Sequence, residues 1–524
     1  FPKLFKIFIK RNMAEATQLK LTNDSKKEEE TNTIGEHLDY TITDELVIGL
    51  CGPIGTDIHF VSSTLKTILE DSFDYQCIEI KMSDFIRKKY GISNKEKSYN
   101  SYKELIDKGN DLRKEFDHDI LSKLIIHEIT KNRQLQSKTD GELVKKKRIC
   151  YIINSIKNTA EYSLLKRVYQ NIFYFIGVFS PLEVRKETLR IKGIDNPDIE
   201  KLIEVDYNQK EDNGQKVSKT FPNADYFLRI DESHDTIVSE KLNRFLDLIF
   251  ATKIVTPKYH ETAMYMASSA SANSACLSRQ VGAAITNSKG DILSVGWNDV
   301  PKYGGNLYTS NDLDSNGHRC INKSGGKCFN DEEKKSLTQL ITQNLVDNKL
   351  ITENQKKEAT KVLNDSRIKD LIEFSRAVHA EMHAIINATQ KSGSEIINGK
   401  LFCTTYPCHN CARHIVAAGI KEIYFIEPYS KSLALKLHGD SITERYNDEN
   451  RVKLLMYDGV SPKRYIDLFK KPDDEKRKTN GVKVNPKRKT ASPRKSISLD
   501  AIPYLELKAT QELNKLGKFE SILN

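Results

Sequence analysis

Four residues between Val378 and Cys411 have the types and spacing of a metal centre with a proton carrier. They occur in His379-Ala380-Glu381 and Pro407-Cys408-His409-Asn410-Cys411. Imidazole and thiolate are the ligands zinc prefers, and a catalytic zinc keeps one position open for water. His379, Cys408 and Cys411 would be the three protein ligands. Cys-x-x-Cys at a helix start puts both sulfurs on one face, one turn apart. The helix N-terminus there favours thiolate, and Pro407 suits the first turn, where a missing N–H costs nothing. Glu381, two residues past the ligand histidine, would take a proton from the attacking water and return it to the leaving group. Alone, Cys-x-x-Cys also suits a structural zinc knuckle or a redox pair, and His-x-Glu recurs by chance. A structural zinc needs a fourth protein ligand, for which His383 and His409 are the neighbours. The order of the two half-motifs favours the three-ligand catalytic site. It leaves His383 and His409 on the helix surface or behind the ligands.

The flanking pattern supplies elements to hold these groups. Ala263–Cys276 reads as a helix of small residues. Val281–Thr286 and Ile292–Asn298 read as strands joined by the hairpin residues Asn287–Asp291. An insertion, residues 299–374, follows. It begins Gly-rich and contains a helical stretch, Asp331–Val346, and His318, Cys320 and Cys328. Those three could hold a second, structural zinc with one more ligand, or be an ordinary histidine and free thiols. Lys400–Thr405, Ile423–Ile426 and Val452–Tyr457 read as further strands, with a helix from Ser432 to Tyr446. The expectation for residues 260–468 is an α/β/α arrangement on a five-stranded mixed sheet.

In front lies a second α/β pattern, residues 41–252. Leu46–Cys51 is an apolar run of the kind that forms a buried parallel strand. It leads into Gly52-Pro53-Ile54-Gly55-Thr56-Asp57 and an apolar-periodic helix from Ile58. Strand, Gly-rich turn and helix form the layout of a phosphate-binding loop, with Gly52, Gly55 and Thr56 as candidate nucleotide-binding residues. Asp57, Ile58 and His59 stand where Gly, Lys and Ser/Thr belong, so the phosphate lysine and the Mg²⁺ hydroxyl are missing. Strands at Gln76–Lys81, Ile149–Asn154, Ile172–Phe179 and Tyr226–Ile230 alternate with helices, which implies a mostly parallel sheet. The region resembles P-loop nucleotide kinases. Asn154 stands where that resemblance puts an Mg²⁺-related Asp, and Arg185 and Arg190 resemble lid arginines. Phosphoryl transfer is therefore not expected, and two readings stand open: a sensor of a regulatory nucleotide or other signal, and a structural domain with a tight turn.

The chain has 524 residues, enough for two or three domains. No apolar run reaches the length of a membrane span. The nine cysteines are scattered rather than framework-like, which with the metal motif points to a reducing cytoplasm. Net charge is +10, of which +8 falls in residues 470–496. That stretch, part of a segment 470–500, reads as a solvated basic linker rather than a nucleic-acid arm. Residues 501–524 read as a C-terminal helix. Residues 1–40 are polar and read as disordered, and Met13-Ala14-Glu15 looks like a natural start.

His-x-Glu followed by Pro-Cys-x-x-Cys is the signature of zinc nucleobase deaminases. Residues 260–468 resemble the deoxycytidylate branch of the cytidine deaminase superfamily. The likeness rests on Arg279–Ala284, Gly296-Trp297-Asn298, Ser375–Glu381, Tyr406–Cys411 and Glu427–Ser432. With the degenerate P-loop kinase-like domain in front, the architecture resembles anti-phage dCTP/dCMP deaminases. That resemblance implies one catalytic zinc, Asn298 on the sugar hydroxyl, the Ala380 N–H on the pyrimidine carbonyl, and the backbone before Pro407 on the exocyclic amine. Arg279, Lys302 and Lys431 are its phosphate candidates, and a homo-oligomer is expected. Two rival activities share the site residues: a housekeeping dCMP deaminase supplying thymidylate synthesis, and a polynucleotide deaminase. The extra N-terminal domain speaks against the first. The near-neutral globular part, without evident stacking platforms, speaks against the second. A nucleotide-responsive binding protein with a structural zinc is opposed by Glu381 and the three-ligand count.

Overall fold

The computed structural model describes residues 43–92, 98–140, 148–207, 214–231, 235–312, 318–428, 432–471, 477–495 and 501–515. The chain is α/β with two largely parallel sheets. Strands β1 (Leu46–Cys51), β2 (Gln76–Lys81), β3 (Ile149–Asn154), β4 (Phe173–Phe179) and β5 (Tyr226–Arg229) are mutually parallel. Every residue of β1 and β3 is buried, because helices cover both faces of the sheet. One face carries α1 (Ile58–Phe73) and α2 (Asp235–Ile249). The aromatic rings of Phe73, Tyr75 and Phe250 pack there within 4.6 and 5.5 Å.

The second sheet has the order β10-β11-β9-β8-β6-β7. Here β6 is Gly282–Thr286, β7 Ile292–Trp297, β8 Lys400–Thr405, β9 Glu422–Glu427, β10 Ile442–Thr443 and β11 Val452–Met456. Strand β6 runs antiparallel to β7 and β8, and the others run parallel to β8. The sheet thus has six strands where five are expected. Ser432–Tyr446 is also not one helix. A short helix, Ala434–His438, stops at Gly439, and the chain turns into β10. Glycine is a poor helix former, and it ends the run before the pattern does.

Chain from the far end of the second sheet returns to the first. Strand β12 (Gly459–Val460) pairs antiparallel with β5. The fully buried Glu261 carboxylate pairs with Arg244 at 2.6 Å and accepts the Val460 N–H at 3.0 Å. Arg464 pairs with buried Asp225 at 2.9 Å. The stretch expected as a solvated linker is docked over 477–495. Arg488 makes a paired set of bonds to Asp247 at 2.8 and 2.9 Å, Ala491 is buried, and Arg148 donates to the Ala491 carbonyl. Ion pairing absorbs part of the charge that composition assigned to solvent. The last helix, Ala501–Lys515, lies against Ile120–Asp140 and Thr159–Tyr169. Its Glu506 is fully buried and bonded by Arg133, Tyr169 and Thr130. The disorder expected for residues 1–40 falls outside the described residues. No described helix is long and apolar enough to cross a membrane.

Candidate metal centre

Two helix starts converge on the same point. Helix α3 (Ala380–Ser392) is capped by His379, and α4 (His409–Ala417) by Cys408, whose sulfur accepts the Cys411 N–H at 3.4 Å. His379 Nδ1 lies 3.3 Å from Cys408 Sγ and 3.4 Å from Cys411 Sγ. All three donor atoms fall within 4.8 Å of one another. The donor set is what zinc takes: one imidazole nitrogen and two sulfurs. The Cys411 hydrogen bond does most to pull the Cys408 thiol down to about 4, with His379 adding to it against the cost of burial. A thiol held as thiolate is the form that binds metal.

Glu381 sits in the first turn of α3, 4% exposed. Burial pushes its carboxyl up, with the Cys408 charge adding to this and His379 opposing it. The Ala380 N–H is at the first helical position, where no intrahelical acceptor exists. Ala380 and Glu381 line a cavity of about 360 Å³ together with His379 and Cys408. This is within the range of small-molecule sites.

Strand β7 sets the position of α3. Gly296 has no side chain because a Cβ there would lie 2.4 Å from both the Ala380 carbonyl oxygen and the Ala384 nitrogen. Gly296→Ala must push the helix off the sheet. We expect a loss of about 1–3 kcal/mol, read as a lower thermal midpoint together with reduced zinc retention. His383 is buried and anchored behind the ligands rather than placed on the surface. Its Nδ1 accepts the Trp297 N–H at 3.2 Å, its Nε2 lies 2.9 Å from Asn306 Oδ1, and burial holds its pKa down. His409 stands 3.8 Å from Glu373.

The other candidates fall variously. Asn298 and Arg279 line the cavity. The Asn298 amide accepts from the Val281 N–H at 2.7 Å and donates to the Arg279 carbonyl at 2.8 Å. It therefore braces the rim, and one N–H and one lone pair are left for a ligand. Arg279 is half-exposed, 3.9 Å from Glu427. Lys302 is paired with Asp312 at 2.8 Å, and Lys431 lies outside the described residues. His318, Cys320 and Cys328 do not assemble as a metal group. Among the described residues, the only group with metal-binding spacing is His379, Cys408 and Cys411. Arg376 instead contacts the Cys320 sulfur at 3.9 Å and the His318 carbonyl at 3.2 Å, and Cys328 directly precedes the helix Phe329–Asp347. Tightly held zinc is expected at one per chain by elemental analysis after loose ions are stripped; two per chain would refute this.

At the Gly52–Thr56 turn, the Ile54 N–H points at a carboxylate of the chain itself. Asp206 accepts it at 2.6 Å, and Lys157 pairs with Asp206 at 2.6 Å. An anion of the protein occupies that donor of the turn. Asp57 caps α1 by accepting the Phe60 N–H.

Sequence reasoning missed the roof of the cavity. The insertion folds back over the metal group and contributes Phe329, Asn330, Lys334 and Lys369. Its base is pinned by Arg319 on buried Asp299. Arg376, three residues before His379, also lines the cavity. It lay inside a stretch already noted for its resemblance; Lys334 and Lys369 carry no local signal.

Residues 257–427 match the family model of the cytidine and deoxycytidylate deaminase zinc-binding region. The His379, Cys408 and Cys411 group lies within the matched stretch. Fifty-five residues are 40% identical to ComE operon protein 2 of Bacillus subtilis (strain 168), covering 10% of this chain and 29% of that protein. The deoxycytidylate deaminase of Enterobacteria phage T4 is 38% identical over 55 residues, covering 10% and 28%. That of Pongo abelii is 26% identical over 147 residues, covering 28% and 52%. The chain therefore spans under a third of the first relative, at 29%, and about half of the last, at 52%. A dCMP deaminase from the cyanophage S-TIM5, solved in complex with dCMP and dUMP, aligns at 21% identity with a TM-score of 0.23. The alignment covers 39% of this chain and 99% of that one.

Proposed function

We propose that this protein hydrolytically deaminates deoxycytidine nucleotides, dCTP and/or dCMP, to deoxyuridine nucleotides. The observation that carries the reading is the buried Glu381 carboxyl in the same cavity as His379 and Cys408, which group with Cys411 as metal donors, inside the region matched to the deaminase family. Zinc held there supplies a Lewis acid that activates water at neutral pH. Glu381 would take one proton of that water and deliver it to the ring nitrogen as the hydroxyl adds to C4; it would then take the proton of that hydroxyl and pass it to the amine, so that the C4–N bond breaks with loss of ammonia and the C4 carbonyl forms. The Ala380 N–H meets the pyrimidine carbonyl and fixes the ring. Asn298 orients the Arg279–Val281 rim and offers its remaining N–H to the sugar. Arg279, Lys334, Lys369 and Arg376 give the cavity cations for a 5′ phosphate. The insertion closes the cavity and limits bulk water at the reacting carbon.

We further propose a role in anti-phage defence through depletion of deoxycytidine nucleotides, with assembly as a homo-oligomer. The resemblance of the fused architecture supports this. The test is ammonia release by the zinc-loaded full chain with dCMP, dCTP, deoxycytidine and a cytosine-containing single-stranded oligonucleotide side by side. Turnover of dCTP, with or without dCMP, supports the defence reading. Turnover of dCMP alone favours thymidylate supply. Turnover of the oligonucleotide alone overturns the proposal.

A further inference from the structure

Both ends of the insertion meet at one residue. Asp299 begins it, directly after Asn298 of the rim. The chain passes Asp299 again on its way to the metal group. There the Val378 N–H donates to the Asp299 carbonyl at 2.9 Å, in an antiparallel bridge one residue before His379. The Asp299 side chain is buried and fully engaged. Its Oδ1 accepts the Val300 N–H at 2.8 Å. Its Oδ2 accepts the Ala275 N–H at 3.0 Å and two bonds from Arg319, from Nε at 3.0 Å and from Nη2 at 2.5 Å. Arg319 also donates to the Asn273 carbonyl at 2.7 Å. Ala275 leads into Leu277, Ser278 and Arg279, which line the cavity as its rim. The Ser274 hydroxyl closes the same knot by donating to the Asn298 carbonyl at 2.6 Å. Beyond Arg319 the roof is tied to itself. Asn330 donates to the Leu371 carbonyl at 3.1 Å, Lys334 to the Lys369 carbonyl at 3.4 Å, and the Arg376 guanidinium lies over the Phe329 ring at 5.1 Å.

We infer that Asp299 is a positioning residue: its carboxylate and carbonyl together hold the rim, the roof and the chain entering the metal group in fixed relation. A carboxylate suits this work. Ionised, it accepts several bonds at once, and charge-assisted bonds are about twice as strong as neutral ones. The guanidinium of Arg319 presents its donors in a rigid plane, so it fixes direction as well as distance. The consequence for substrate rests on the deaminase reading. The metal group and Glu381 act on the ring, while the roof cations hold the 5′ phosphate. Asp299 then sets the separation of these two ends, and so governs how well a nucleotide is held rather than how fast the held ring reacts.

The activity arm of the test shares that reading; the exchange arm does not. Asp299→Asn is nearly isosteric but lacks the charge that faces Arg319. In the full zinc-loaded chain it is expected to raise KM for the nucleotide turned over, dCMP or dCTP, about tenfold, with kcat within about twofold, as for loss of one charged hydrogen bond felt in binding. Zinc content should be unchanged. Arg319→Ala should act alike, and Arg319→Lys, which keeps the charge without the planar fork, should recover part of the loss. The double variant Asp299→Asn with Arg319→Ala should fall short of the product of the two single effects, because both cut one knot. A fall in kcat at unchanged KM, loss of zinc, or multiplicative effects would overturn the inference. Independently of activity, Arg319→Ala should speed amide hydrogen exchange at Val378 and across residues 275–281, which Arg319 reaches through Asp299. Faster exchange confined to the insertion would overturn it as well. If Asp299→Asn or Arg319→Ala fails to fold, Arg319→Lys carries both readouts, and no change in either decides against the inference. If the wild-type chain deaminates nothing, the functional reading fails while the exchange arm still decides whether Asp299 joins the three walls.

Discussion

Glu381→Ala is expected to reduce deamination by at least about 10³-fold, toward the upper range for loss of a general acid–base, while the protein keeps its zinc. The two outcomes separate because of geometry. The donor atoms placed to hold a metal are His379 Nδ1 and the sulfurs of Cys408 and Cys411, and Glu381 is not in that group. Its carboxyl is buried at the cavity, where no other carboxylate of α3 can replace it. Steady-state kinetics with elemental analysis of the same preparation is the measurement. Loss of zinc along with activity would make Glu381 a ligand or a folding element and would contradict the assigned role.

The second large effect concerns stability. Arg133 bridges two carboxylates from distant parts of the chain, Glu45 at 2.6 Å and Glu506 on the C-terminal helix, with side chains 14%, 3% and 0% exposed. Removing the shared cation leaves two buried carboxylates facing each other. Arg133→Ala should therefore cost about 3–5 kcal/mol of local stability, the range for breaking a buried ion pair on one side. The readout is hydrogen exchange in Ala501–Lys515 and Ile120–Asp140, which should lose protection together. Burial already holds the Glu506 carboxyl above its usual range, with Arg133 opposing that shift. A carboxyl whose folded pKa is raised favours the folded state at low pH and weakens it as pH rises. Without Arg133 this shift grows, so the deficit should be larger at about pH 8 than at about pH 5. A deficit that grows on acidification would mean the pair is not the source.

The metal centre was legible in the amino-acid sequence because its chemistry is local. His379 and Glu381 are two residues apart, Cys408 and Cys411 one turn apart, and each pair opens a helix whose start the sequence marks. The parallel strands were legible for a similar reason: Leu46–Cys51 and Ile149–Ile153 are apolar runs that must be covered on both faces. Tertiary structure decided what depends on pairing between distant residues. The basic stretch read as solvated because composition counts charges and not partners, yet Arg488 finds Asp247 241 positions earlier. Cys320 and Cys328 looked like ligands by type, but a metal site needs donors that converge, and the fold puts Cys320 beside Arg376 and Cys328 at the start of the helix Phe329–Asp347. The same holds for Lys334 and Lys369, which only the fold brings to the cavity. Residue type and spacing determine which reactive groups the chain owns; only the packing of the two sheets and the fold of the insertion decide which of them share a cavity.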